Sequence, residues 1–239
     1  MSDASEGRVV LVTGATGVLG TVVAKRFGEE GDRLVLVGTD AGRLADAARD
    51  AALEEGRWLG AVGDLRDPDA ARRMAAEAVA AFGRIDVLVH LVGGYAGGTA
   101  VVDVDAGEVQ DMLDQHLWST LNAVQAVVPG MIERGFGRVL ALTPTTVEKA
   151  GPKALGYAVG KAAEDALIRT LARELGGAGV TANLVVVRKI DEAHERETAP
   201  AAKNQAFATP EEIASVLVFL ASPAAAAING QRVGTDGRA

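Results

Sequence analysis

The chain has 239 residues, 49% of them apolar, enough for one large domain with a sizeable core. A formal net charge of −8 with no basic cluster argues against nucleic acid and against an anionic membrane surface as partners. The lack of cysteine excludes disulfides and thiolate metal sites and fits a cytoplasmic location, and the three histidines share no metal-ligand spacing, so no metal is expected. The opening MSDASEGR is polar and has no apolar h-region, and no apolar run approaches the ~18–20 residues that span a bilayer.

The first strand candidate, RVVLV (8–12), runs directly into VLVTGATGVLG (10–20). Gly14, Gly17 and Gly20 fall three apart between this strand and a helix expected over 18–30. Glycines there permit a tight turn and let backbone N–H groups approach a pyrophosphate at the positive end of the helix. A lone glycine triplet is weak, but this one follows the first strand of a strand–helix series, which is the required context. The second strand, RLVLV (33–37), ends at Gly38-Thr39-Asp40. A carboxylate at that tip would hold a ribose 2′-OH, whereas a basic residue would accommodate a 2′-phosphate. The tip is Gly38, Asp40 falls late and Arg43 follows one helical turn on, which leans to NADP over NAD.

A helix over 41–55 leads to a weaker strand, RWLGAV (57–62), and then to GDLRD (63–67). Asp64 reads either as a partner for the adenine amino group or as a cap for the helix over 68–82, where Pro68 suits a first helical position. IDVLVHLV (85–92) is followed by GGYAGG (93–98), whose Tyr95 would lie at the mouth of a site, and then by a long helix over 106–134. GRVLALT (137–143), a helix over 155–176 and VTANLVVV (180–187) complete the strand candidates. RKIDEAHERETAPAAKNQAFA (188–208) is charged and aperiodic and reads as a surface loop or substrate lid; Thr209 and Glu212 then have capping-box spacing before a helix over 210–221. The apolar runs are continuous, as parallel strands covered on both faces require. The fold class expected is α/β, one domain over 1–239 with a doubly wound parallel sheet of about seven strands.

On TGATGVLG (13–20), GDL (63–65), IDVLVHLVGG (85–94), GRVLAL (137–142), Tyr157-x-x-x-Lys161 and TPEEIASVLVFLAS (209–222), in that order, the chain resembles the short-chain dehydrogenase/reductase family over nearly its whole length. The resemblance implies a Rossmann-type fold, NADP or NAD as cofactor, and reduction of a small carbonyl or imine-like molecule. It implies a cofactor site at Gly14, Thr16, Gly17, Val18, Leu19, Gly20, Thr39, Asp64, Leu65, Val92, Gly93, Tyr157 and Lys161. It also implies that Tyr157 transfers the proton while Lys161 lowers its pKa and bonds the nicotinamide ribose. A nearby cation does stabilise phenolate, so the phenol is expected to fall from about 10 toward working pH.

The departures are specific. The family's serine, thirteen residues before the tyrosine, is here Pro144, and its helix asparagine is His116, a candidate proton relay. The Asn-Asn-Ala-Gly turn reads His90-Leu91-Val92-Gly93, and the Pro-Gly after the sixth strand reads Val187-Arg188. Losing one oxyanion donor costs ~10²–10³ in rate. Three accounts stand open. Thr143, Thr145 or Thr146 supplies the hydroxyl, with Thr145 taken as the stand-in; the substrate is not a simple ketone; or the protein binds nucleotide without catalysis. GGYAGG (93–98), the missing serine and TDGR (235–238) are similar to the dihydropteridine reductases of this family, which points to a quinonoid dihydropterin as one substrate to test. A homodimer or homotetramer through helices 106–134 and 155–176 is expected, because relatives pair these helices and small residues such as Ala162 and Ala163 allow close approach.

Overall fold

In the computed structural model, which describes residues 7–235, every apolar run singled out above forms a strand. They are β1 (Val9–Thr13), β2 (Arg33–Gly38), β3 (Trp58–Val62), β4 (Val87–His90), β5 (Gly137–Pro144) and β6 (Val180–Val187). A seventh, β7 (Arg232–Gly234), pairs through only three residues at the edge, too short for any pattern to register. All pairs are parallel, in the order β3-β2-β1-β4-β5-β6-β7, so the fold is the doubly wound Rossmann type. The first six residues and Asp236 to Arg238 of the TDGR stretch lie outside the described residues.

The helices are α1 (Val18–Glu29), α2 (Ala41–Asp50), α3 (Pro68–Phe82), α4 (Ala106–Leu113), α5 (Ser119–Arg134), α6 (Leu155–Glu174), α7 (Glu195–Thr198) and α8 (Pro210–Ala221). Alternate strand residues feed two cores. Leu11, Val35, Val37, Leu88 and Val139 pack with α3, α5 and α6. Val10, Val12, Leu34, Leu36 and Val89 pack with α1, α2 and α8. This two-sided burial is why the strands carry no polar alternation.

Several boundaries differ from expectation for local reasons. β4 stops at His90 because the Leu91 N–H turns to bond Thr13 Oγ1. α2 ends at Asp50, since Ala52 takes φ 53° and breaks the helical run. The helix expected over 106–134 is interrupted by a π-helical turn at Asp114–Trp118. There the Ser119 and Thr120 hydroxyls bond back to the Gln115 and His116 carbonyls, four residues earlier, competing with the regular ladder. The segment 188–208 is tied down: Asp191 accepts from the Glu195 and Arg196 N–H groups, and Arg196 forms a two-pronged ion pair with Glu212. The two helix starts read from proline hold. Asp67 caps α3 through the Asp69 N–H, and Thr209 and Glu212 close a reciprocal capping box on α8.

Gly160 on α6 lets this helix press against the π turn. Alanine there raises helix propensity by up to about 1 kcal/mol, but its Cβ would lie 2.7 Å from the Met112 carbonyl oxygen and 3.0 Å from the His116 ring. We expect Gly160→Ala to destabilise by about 1–3 kcal/mol, read as a lower denaturant midpoint; an unchanged or higher midpoint would show that the contact relaxes freely.

Candidate functional site

The site lies at the C-terminal strand ends, where β1 and β4 adjoin and the strand order reverses, the usual ligand crevice of such sheets. Two cavities open there. One is lined by Gly14, Thr16, Gly17, Gly38, Thr39 and Arg43, with Asp64 and Arg66 opposite. The other, about 260 Å³, is lined by His90, Tyr95, His116, Pro144, Tyr157 and Lys161 among others. Leu91, Val92 and Gly93 line both, so the two cavities adjoin between the glycine turn and the tyrosine.

The glycine turn is built as the sequence suggests. Gly14 has φ +64° and lies so close to β4 that a Cβ would meet the Leu91 carbonyl at 2.9 Å. Gly20 allows α1 onto the turn, since a Cβ there would fall 2.4 Å from the Gly14 oxygen. Gly17, at the N-cap of α1, brings no side chain to the first-turn N–H groups, which leaves those donors open to an anion. Val18 is half exposed, and Leu19 and Leu65 bury their side chains in the two cores; of the three only Leu65 lines the first cavity. Asn122 holds the loop in place by donating to the Leu65 carbonyl.

At the β2 tip, Asp40 uses its carboxylate to cap α2 through the Arg43 N–H, while the Arg43 guanidinium reaches back to the Thr16 carbonyl at 3.4 Å. Asp64 does not cap α3; Asp67 does. The Asp64 carboxylate accepts from the Arg66 guanidinium at 2.5–3.0 Å and from the Arg66 backbone N–H at 2.9 Å, and the side-chain bonds first keep it below the usual carboxylate range.

Tyr157 stands near the start of α6, half-buried, its ring edge-on to Tyr95 (centroids 5.1 Å) and to His116 (5.6 Å). No side chain or carbonyl among the described residues bonds its hydroxyl. Pro144 ends β5 on the cavity wall. The Thr143 hydroxyl, also on that wall, is tied to Asp165 at 3.2 Å. Thr145 and Thr146 lie in the short 3₁₀ turn that follows, and neither lines the cavity. The stand-in hydroxyl read for Thr145 is therefore not delivered, because the strand continues straight through Pro144 before the chain turns.

Lys161 follows one turn later and is buried. Its Nζ donates to the Leu142 carbonyl (3.1 Å) and to Glu164 Oε2 (2.6 Å). The sequence reading missed Glu164, which is 1% exposed with its other oxygen 3.2 Å from the Thr120 hydroxyl. The surroundings of Tyr157 work against the acidified phenol expected from the Tyr–Lys spacing: it is pushed up to about 12, by burial first and then by the Glu164 carboxylate and Tyr95. The signal was an acidic residue three positions after the lysine, a spacing that on most helices is an exposed pair.

His116 sits on the π turn, fully buried. Its Nε2 donates to the Gly94 carbonyl at 3.0 Å, which leaves Nδ1 an acceptor without a partner. His90 is enclosed by hydroxyls instead: Nδ1 accepts from Thr13 (3.1 Å) and Nε2–H donates to Ser119 (3.3 Å), a structural network. Arg188 lines the rim of the cavity. Among the described residues no cluster of metal-binding side chains occurs, and no helix is long and apolar enough to cross a membrane.

The family model described as enoyl-(acyl carrier protein) reductase matches residues 14–237. Among curated proteins, the chain is similar to (2S)-[(R)-hydroxy(phenyl)methyl]succinyl-CoA dehydrogenase subunit BbsC of Thauera aromatica, 33% identical across 97% of this chain and 94% of that one. It is 28% identical to 3-oxoacyl-[acyl-carrier-protein] reductase FabG of Thermotoga maritima, with 97% of each covered. Among solved structures, a short chain dehydrogenase from Bacillus anthracis superposes with a TM-score of 0.88 at 30% identity, covering 98% of this chain and 97% of the other.

Burial, followed by the charge of Lys161, holds His90 down to about 3 and His116 down to about 4. In the unfolded chain both titrate near about 6.5. Below that pH the unfolded state binds protons that the folded state refuses, so their contribution is present above about 6.5 and is lost as the pH falls toward 4. Thermal midpoints should fall across that window, and His90→Asn should flatten the slope; an unaltered slope would remove His90 from the acid response.

Proposed function

Because the chain belongs to the short-chain dehydrogenase/reductase family, we propose that it is an NADPH-dependent reductase of a small molecule bearing a carbonyl or imine-like group. The observation that carries this reading is the junction at Leu91, Val92 and Gly93 of a glycine-lined anion cradle with a cavity that ends at Tyr157. When bound, the cofactor supplies the hydride. The open N–H groups of α1 hold its pyrophosphate, with Thr16, Val18 and the backbone of Leu19 alongside. Asp64 and Leu65 border the adenine end. Arg43 and Thr39, beside a Gly38 without a carboxylate, suit a 2′-phosphate, which favours NADP over NAD.

In the second cavity Tyr157 gives its proton to the substrate oxygen or nitrogen, helped by the short reach of a side chain with no competing partner. Lys161 has two N–H bonds engaged, so a third remains for the nicotinamide ribose. His116, neutral at working pH, accepts through Nδ1 from a water or a substrate donor, in the place the family gives its relay asparagine. Two of the relatives above are named as a succinyl-CoA dehydrogenase subunit and a 3-oxoacyl-[acyl-carrier-protein] reductase; this supports including acyl-CoA and 3-oxoacyl substrates with quinonoid dihydropterin and ketones in the trial set. Assembly as a homodimer or homotetramer is supported by apolar Trp118 and Val159, which stay 45% and 38% exposed on the π turn and on α6. A second reading, nucleotide binding without turnover, is favoured by one observation: among the described residues no free hydroxyl replaces the absent serine on the cavity wall, since that of Thr143 is bonded to Asp165.

The test is consumption of NADPH and NADH across that set. Tyr157→Phe should lower turnover by about 10²–10⁴-fold. Binding of both nucleotides with no turnover of any substrate by the wild type would favour the second reading. Arg43→Ala should weaken NADPH binding by roughly 10–100-fold and leave NADH nearly unchanged; equal losses for both would assign Arg43 to the fold instead.

A further inference from the structure

Two of the departures from the family pattern are neighbours in the sheet. Pro144 of β5 is the register partner of Val187 of β6, and Arg188 follows at the next position. All three line the cavity that ends at Tyr157. Arg188 stands on a fixed base. Its chain is held behind by β6 and ahead by the Ala208 N–H, which donates to the Lys189 carbonyl, and by the bridge between Ile190 and Ala208. The residue is exposed, and its side chain makes no hydrogen bond or ion pair among the described residues.

The charge around this guanidinium is one-sided. No aspartate or glutamate is among the residues lining the cavity, although the chain as a whole carries a net charge of −8. Of the three cations that line it, two are occupied. Lys161 is bonded to Glu164, which lies outside the lining. Lys189 stands 3.6 Å from Glu195 with its ammonium over the Phe207 ring. His90 and His116 are uncharged at working pH. Arg188 is thus the lining cation without a counter-charge. A guanidinium presents a planar fork of donors that matches a carboxylate. A neutral ligand would leave that fork to water, whereas an anionic one gains two charge-assisted bonds in a cavity whose walls repel no anion.

We propose that Arg188 is a specificity-determining residue that takes a carboxylate on the substrate, so that the small carbonyl compounds suited to this site are oxo acids, held with the acid at the rim and the carbonyl toward Tyr157. The direction of the carbonyl rests on the reading of Tyr157 as proton donor given above; the carboxylate site is a property of the cavity alone. Such a bond also bears on Pro144. It is made away from the reacting atoms, yet it orients the carbonyl in a site where no serine is present to do so.

The probes are pyruvate, acetoacetate and levulinate, which step the carboxylate away from the ketone one carbon at a time. Each is compared with its methyl ester, which keeps the ketone and removes the charge. They are titrated calorimetrically into the full chain, both nucleotide-free and saturated with NADP+, where no reduction occurs. At least one acid should bind roughly 10–100-fold tighter than its ester. Arg188→Gln should erase that preference and leave the esters unaltered, and Arg188→Lys, a cation without the fork, should keep part of it. Acids that bind no better than their esters to the wild type, or a preference unmoved by Arg188→Gln, would overturn the assignment. So would a loss of NADPH affinity in Arg188→Gln in place of the loss for acids, which would give the fork to a cofactor phosphate. Acid preference without any consumption of NADPH would retain the carboxylate site and remove the reductase reading. Equal reduction of acids and esters would keep the reductase and remove the site.

Discussion

A parallel sheet has no face that it can leave to water, and most of this molecule follows from that constraint. Helices must cover both sides of β1 to β6, and the strand order reverses between β1 and β4. The chain therefore departs in opposite directions from these adjoining strand ends. The crevice between them is unfilled by backbone and is walled by the glycine turn on one flank and by Leu91 to Gly93 on the other. The chemistry of the site is what α6 and the π turn bring to the mouth of that crevice.

The local features were legible in the sequence because each depends on a few neighbouring residues. Continuous β-branched runs became strands, Pro68 and Pro210 became first helical positions, and the three glycines became the turn at the start of α1. β7 escaped because three residues make no pattern, and its place comes from register with β6 alone. The π turn escaped because its cause is two hydroxyls folding back on carbonyls inside an otherwise ordinary helical stretch. Asp64 was open between the adenine and a helix cap, and the structure gives the cap to Asp67, the residue directly before Pro68.

The electrostatics of the site were the least legible. Tyr157 and Lys161 in register suggested an acidified phenol, yet the charge near a phenol depends on what surrounds the lysine in three dimensions. Glu164 is an unremarkable letter until α6 packs against α5 and excludes water from it. Likewise His90 and His116 look alike in sequence. One is saturated by Thr13 and Ser119, and the other keeps an open nitrogen, because their neighbours differ.

The π turn also links two surfaces that have no contact. It holds one residue more than an α-helical turn would, and each residue advances a helix by about 100°. His116 points inward against Tyr157 while Trp118, two residues on, stands in solvent. Deleting one residue here would restore regular winding with α4 and α5 still in phase and would displace the residues of the turn itself. The imidazole and the outer indole would then lose their bearings together. The inner wall of the cavity and the outer face of the helix are therefore geared to one phase, and an evolutionary change in helix length on one side cannot be made without resetting the other.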